Sequence, residues 1–320
     1  MRLLASVFLN FRCLCCVTAL LLTSQVTSVT AADTDIFTRR EDVIYGRKFG
    51  TALTLDVFTP KEKPNGAAVI AVVSGGWFSD HGGVNPGSYL PFLKRGYTVI
   101  AVVHGSQPKF TIPEVLTDMH RAVRFIRSRA EEFHIDPKRI GITGGSAGGH
   151  LSLMIGTSGT DGDPNAKDPI DRQSSRVQAV GCFYPPTDFL NWGEPGINAL
   201  GKGPLGWLPS PFDFREFDGT AKKFISVTDE EKLLKIGREI SPITHVSADD
   251  PPTLIIHGDA DKVVPIQQAQ IMVEKLKSVN VPNELINRPG QGHGWPTLQD
   301  DVELFADWFD KHLPVATPKK

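Results

Sequence analysis

Apolar positions along the chain follow two alternating rhythms. Short, nearly continuous apolar runs occupy 68–74, 98–104, 140–143, 177–184 and 253–257, with Gly and Pro punctuating the gaps between them. Runs of this length, rich in Val and Ile, read as strands covered on both faces. Between them the apolar residues recur with the 3.6-residue period of a helix. The clearest such segment opens at Thr111-Ile112-Pro113-Glu114, which has capping-box spacing, and continues through Val115, Leu116, Met119, Val123 and Ile126 on one face. A later helix is expected from near Pro265, and a last one through Val302, Phe305, Trp308 and Phe309. Residues 42–60 read as an antiparallel pair turning near Gly50. Buried strands alternating with helices predict an α/β fold: a mainly parallel central sheet with helices on both faces.

Two stretches break this rhythm. From Pro185 to about residue 240 the chain is rich in Gly, Pro and aromatics, including Trp192, Trp207, Phe212, Phe214 and Phe217. An insertion of this length in a compact domain is usually a lid or a binding loop; the alternative is a surface excursion with a small core of its own. The amino-terminal stretch differs again. Arg2 and Arg12 precede an apolar run over 13–22, small polar residues lead to Ala31-Ala32, and no acidic residue appears before Asp33. That order predicts a secretory signal peptide over 1–32, ending at Ala31 or Ala32, followed by a single domain over 33–320. A spanning helix needs about 20 apolar residues, and this run gives way to Thr23-Ser24-Gln25, so a retained anchor is the lesser alternative. The mature protein is expected to be periplasmic or extracellular, off the membrane once the signal is cut.

Composition adds limits. With 320 residues, 40% hydrophobic and 22% charged, the chain suits one domain with a large core. Its formal net charge of -2 provides no basic field for phosphate backbones, so nucleic acid is not an expected partner. Three of the four cysteines lie in the signal, and the remaining Cys182 reads as a buried packing residue with no disulfide partner. Gly201-Lys202-Gly203-Pro204-Leu205-Gly206 fits the spacing of a dinucleotide fingerprint, but Pro204 and the lack of a preceding buried strand make it a loop. No H-E-x-x-H and no Cys/His cluster is present, so neither a metal nor a cofactor is expected.

The chemistry concentrates at Gly144-Gly145-Ser146-Ala147-Gly148, directly after the run at 140–143 and ahead of a helix. A serine held in a strained strand-to-helix turn needs small residues two before and two after it, and Gly144 and Gly148 supply them. The helix amino end offers free N–H groups to a developing oxyanion, with the Ala147 N–H as first donor. Such a serine needs a histidine to take its proton and an acid to orient that histidine. His293, in the glycine-flanked loop Gly292-His293-Gly294 before the last helix, is the expected base, while His150 and His257 read as structural. For the acid, Asp261 is favoured over Asp259 on loop position, with Asp188 as an outside candidate. The remaining oxyanion donors are assigned to Gly75 and Gly76, with the Trp77 N–H next in line. Trp77 and Phe78 are read as walls of a substrate pocket, or else as packing beneath the insertion.

With these residues placed, the chain resembles the secreted α/β-hydrolase esterase/lipase group, which includes feruloyl-esterase-like and acetyl-xylan-esterase-like enzymes. The resemblance spans roughly 42–313. It rests on the Gly144–Gly149 stretch, Ser241-Pro242-Ile243-Thr244, His257-Gly258-x-x-Asp261-x-x-Val264-Pro265 and Gly292-His293-Gly294. It implies an α/β-hydrolase fold with Asp261 as the triad acid. It also implies hydrolysis of small-molecule or polysaccharide-linked esters through an acyl-enzyme, without a cofactor. The chain departs from the group's H-G-G-G-W pattern by aligning Val73-Ser74-Gly75-Gly76-Trp77, which opens the question of how the oxyanion loop is braced. Two rival readings stand beside this one. A prolyl-oligopeptidase-like peptidase would typically carry Tyr where Ala147 stands, with a propeller domain in front. A non-catalytic binding protein on the same scaffold would have lost triad members.

Overall fold

The computed structural model describes residues 35–314, so the predicted signal peptide over 1–32 lies outside the described residues. Ten strands form in chain order: β1 (Phe37–Lys48), β2 (Thr51–Pro60), β3 (Ala68–Val73), β4 (Thr98–Val103), β5 (Ile140–Gly145), β6 (Ala179–Phe183), β7 (Arg215–Asp218), β8 (Lys223–Ser226), β9 (Thr253–Gly258) and β10 (Asn283–Arg288). Eight of them build one sheet in the order β1-β2-β4-β3-β5-β6-β9-β10. β1 and β2 pair antiparallel, as do β2 and β4, and the remaining strands run parallel. The β1–β2 turn is the two-residue Phe49-Gly50, both at positive φ, which suits the right-handed twist of the flanking strands.

The inner parallel strands are mostly apolar because both faces are covered, whereas the edge strand β10 is only partly buried. Along β3, Ile70 and Val72 enter one core while Val69, Ala71 and Val73 enter the other. The second core is closed by α1 (Leu90–Lys94) and, at the far end of the chain, by the last helix, α6 (Val302–His312), through Phe92, Phe305 and Phe309. The first is closed by α2 (Ile112–Ser128), α3 (Ala147–Ser158) and α5 (Gln267–Ser278), which contribute Met119, Val123, Leu151 and Met272. The predicted capping box at the start of α2 is formed, with the Thr111 N–H donating to Glu114 Oε2 at 2.7 Å. Cys182 is buried in β6. No helix among the described residues is long and apolar enough to cross a membrane.

The 185–240 segment carries the small two-stranded β7–β8 ribbon and α4 (Glu230–Glu239). Its inner half is not a separate body, because Phe189, Trp192, Leu200, Leu205, Phe212 and Phe214 join the core on the α3 side. Its root is stitched down by polar bonds. Gln268 on α5 is fully buried, and its Oε1 accepts from the N–H groups of Thr187 (2.8 Å) and Asp188 (2.7 Å). The Ser241 hydroxyl accepts from the Phe189 N–H at 3.1 Å and donates to the Gly237 carbonyl at 2.7 Å, joining the start of the segment to its end.

Candidate active site

At the junction of β5 and α3, Ser146 sits at φ 53, ψ -120, a backbone state that L-residues occupy only under constraint. The constraint is visible on both sides. The Ser146 N–H donates to the Phe183 carbonyl at 3.0 Å, and its own carbonyl accepts from the His150 N–H at 2.9 Å. The flanking glycines are required by space: a Cβ on Gly144 would lie 2.6 Å from the Gly148 backbone, and one on Gly148 would lie 3.0 Å from the Val72 carbonyl.

His293 reaches this turn from the loop between β10 and α6, with Nε2 2.9 Å from Ser146 Oγ. Its Nδ1 lies 2.7 Å from Asp261 Oδ2. Facing a carboxylate, Nδ1 carries the proton, which leaves Nε2 to accept from the serine hydroxyl. Asp261, in the loop after β9, is fixed through Oδ1 by the Val263 (2.8 Å) and Val264 (2.9 Å) N–H groups. Burial alone would raise this carboxyl, but hydrogen bonds from His257, His293 and the Val264 N–H outweigh it. The group is held well below the usual carboxylate range and stays ionised. His257 Nε2 lies 3.4 Å from Asp261 Oδ2 and 2.9 Å from the Val264 carbonyl, so this histidine braces the acid.

The other candidates have different employment. Asp259 holds the His293 loop, accepting from the Gly290 N–H (2.7 Å) and from Asn287 Nδ2 (3.0 Å). Asp188 accepts from the Leu190 N–H and from Asn191 Nδ2 at the insertion root. His150 is completely buried, and burial pushes its imidazole down to about 4. It is neutral, taking a hydrogen bond from Trp77 Nε1 at 3.1 Å and donating to the Ile240 carbonyl at 2.7 Å.

The oxyanion loop corrects two sequence expectations. The Gly75 N–H is turned back to the Phe78 carbonyl at 3.0 Å, and the Phe78 N–H returns to Gly75 at 2.9 Å. Gly75 is therefore engaged within the turn, while the N–H groups of Gly76, Trp77 and Ala147 meet no acceptor among the described residues. The Trp77 side chain, 2% exposed, packs edge-on against His150 and Phe212 at 5.5 Å, which is the packing role beneath the insertion. Phe78 is 47% exposed and does line a cavity, of about 440 Å³, together with Gly75, Gly145, Tyr184, Ser88 and Gln299. The missing histidine of the H-G-G-G-W pattern is replaced by a serine brace. Ser79 Oγ donates to the Val73 carbonyl (2.6 Å) and accepts from the His104 N–H (3.2 Å), while Ser106 Oγ accepts from the Ser79 N–H (2.9 Å).

Sequence reasoning also missed Tyr184, whose ring lies 4.4 Å from the His293 ring, centroid to centroid. Its place just past the end of a buried parallel strand was the available signal, since that edge of such a sheet is where sites form. Among the described residues, one group has metal-ligand spacing: Asp42, Asp56 and His81. Arg39 already pairs with Asp56 there, at 2.6 Å.

Strand order, strained serine turn and the Ser146–His293–Asp261 line together define an α/β-hydrolase. Residues 55–276 match the BD-FAE family, and the chain belongs to that family. In Mycobacterium tuberculosis, "Probable carboxylic ester hydrolase LipM" is 30% identical over 75% of this chain and 52% of its own length. "Esterase LipC" of the same organism is 27% identical over 82% of this chain and 61% of its own. The chain thus spans between half and two thirds of these relatives. A solved structure described as a truncated form of a carbohydrate esterase from gut microbiota superposes with a TM-score of 0.71 at 27% identity, covering 88% of this chain and 98% of that one.

Proposed function

We propose that the protein is an exported serine carboxylic ester hydrolase acting through an acyl-enzyme on Ser146, with acetyl or feruloyl esters of polysaccharides as its substrates. The observation that carries the catalytic part is the unbroken line from Ser146 Oγ to His293 Nε2 (2.9 Å) and from His293 Nδ1 to Asp261 (2.7 Å). In this reading Ser146 attacks the carbonyl as His293 takes its proton. The tetrahedral oxyanion is met by N–H groups of Gly76, Trp77 and Ala147. His293 then protonates the departing alcohol, and water repeats the sequence to release the acid. Asp261, held ionised, stabilises the imidazolium in both halves. The likeness to a carbohydrate esterase and the export signal expected over 1–32 support a substrate on polysaccharide outside the cytoplasm.

Labelling by a fluorophosphonate probe, read by mass spectrometry, tests the assignment. The wild type is expected to label at Ser146, and Ser146→Ala to lose both labelling and p-nitrophenyl acetate turnover, the latter by about a millionfold. Unchanged turnover in that variant refutes the mechanism. A clear preference for an aminoacyl-proline anilide over p-nitrophenyl acetate would instead make the protein a peptidase.

A further inference from the structure

Four of the five tryptophans, Trp77, Trp192, Trp295 and Trp308, are buried, but Trp207 is 67% exposed. An indole left in water forgoes the burial that draws the other four inside. Nor is it on a slack loop. Short turns fix its backbone on both sides, through Gly206 N–H to the Gly203 carbonyl (3.0 Å), Leu208 N–H to the Leu205 carbonyl (2.9 Å) and Phe212 N–H to the Pro209 carbonyl (3.0 Å). Leu205 and Phe212 anchor these turns in the core, and the Phe212 ring packs on Trp77 at 5.5 Å.

The mount touches the proposed oxyanion loop. A Cβ built on Gly76 would meet Leu208 Cδ2 at 3.3 Å, so the side chain next to Trp207 in sequence rests on the oxyanion loop itself. The cavity lined by Phe78, Gly145 and Tyr184, at about 440 Å³, is large enough for an acyl group and too small for a polymer. A polymer carrying the ester must therefore lie outside this cavity, whose lining includes no residue of the insertion; the insertion meets the site at Leu208, against Gly76.

We propose that Trp207 is the platform on which a pyranose ring of the ester-bearing polysaccharide stacks, holding its ester against Ser146. A pyranose presents an apolar C–H face and a hydroxyl edge, and a flat, exposed indole on a fixed backbone matches that face. The inference rests on the ester-hydrolase reading and adds to it the group that selects polymer-linked esters over small ones.

The test uses the full chain, with acetylated xylo-oligosaccharides and p-nitrophenyl acetate as probes. In Trp207→Ala the ratio of kcat/KM on the oligosaccharide to that on p-nitrophenyl acetate is expected to fall on the order of tenfold, mainly through KM, with Trp207→Phe in between. In a Ser146→Ala background, unmodified xylohexaose should quench tryptophan fluorescence, and Trp207→Ala should abolish the quench. An unchanged ratio overturns the platform, and so does a wild type that labels with fluorophosphonate yet ignores the oligosaccharide. A Trp207→Ala variant that dissociates a wild-type dimer assigns the ring to a self-contact, which also overturns it. Loss of the fluorophosphonate label in the wild type is a separate result and strikes the ester-hydrolase reading instead.

Discussion

Replacing Asp261 by Asn is the most discriminating change the site allows. The amide oxygen can keep the two bonds from Val263 and Val264 N–H that Oδ1 now accepts at 2.8 and 2.9 Å, so the loop should hold its shape. What changes is the atom 2.7 Å from His293 Nδ1, where a carboxylate oxygen becomes an NH₂ donor. Two donors cannot face each other, so the imidazole moves its proton to Nε2, the nitrogen 2.9 Å from Ser146 Oγ. The base then has no lone pair for the serine proton. A wrong tautomer in a triad of this kind costs about 10⁴ in kcat, equivalent to about 5.4 kcal/mol of transition-state stabilisation. Asp259→Asn is the matched control, because Asp259 is exposed and only ties Gly290 and Asn287. It should lower kcat less than tenfold. Steady-state turnover of p-nitrophenyl acetate, with circular dichroism to verify folding, measures both. Asp261→Asn keeping a tenth of wild-type activity, or Asp259→Asn proving the more damaging, refutes the assignment of the acid.

Two further outcomes follow from the same geometry. Gly144→Ala would drive a Cβ to within 2.6 Å of the Gly148 backbone, and the elbow must shift. A loss of about 2 kcal/mol or more is expected, with weakened fluorophosphonate labelling, and an unchanged melting temperature and label would show that the elbow has slack. Burial pushes His104, His120 and His150 each down to about 4. Their folded-state pKa lies below the unfolded value of about 6.5, so between pH 6.5 and 4 the unfolded chain binds more protons and stability falls with pH, by about 3 kcal/mol per histidine at the limit. Melting curves from pH 7.5 to 4.5 should show the decline beginning below about 6.5, and a flat profile would contradict the buried neutral state.

The inner parallel strands were legible because burial on both faces forces unbroken apolar runs, which β7, β8 and β10 lack, and α2 was legible because its cap residues sit three apart in sequence. Ser146 was legible for a steric reason, since only small residues fit at 144 and 148. Other features depend on contacts that spacing does not encode. Glycine at 75 says that backbone can approach a ligand, but not that its N–H folds back onto the Phe78 carbonyl. Trp77 adjoins the oxyanion glycines in sequence, yet its ring points under the insertion because His150 and Phe212 offer it a polar partner and an aromatic wall. The Ser79 brace joins the end of β3 to the residue after β4, and it follows only once those strands are neighbours. Tyr184 reaches His293 because its N–H is fixed to the Ile256 carbonyl of β9 at 2.9 Å, a register that is invisible before the sheet is assembled.

The buried amide of Gln268 divides the molecule in a way useful to anyone altering its selectivity. By gripping the backbone at Thr187, Asp188 and Asn191 from α5, it welds the foot of the insertion to the element that follows the Asp261 loop. The β7–β8 ribbon lies beyond that grip and, among the described residues, makes no hydrogen bond to the Asp261 loop. The scaffold behaves as a fixed engine with an exchangeable outer trim: the ribbon can be rebuilt while the distances that set the proton relay stay where they are.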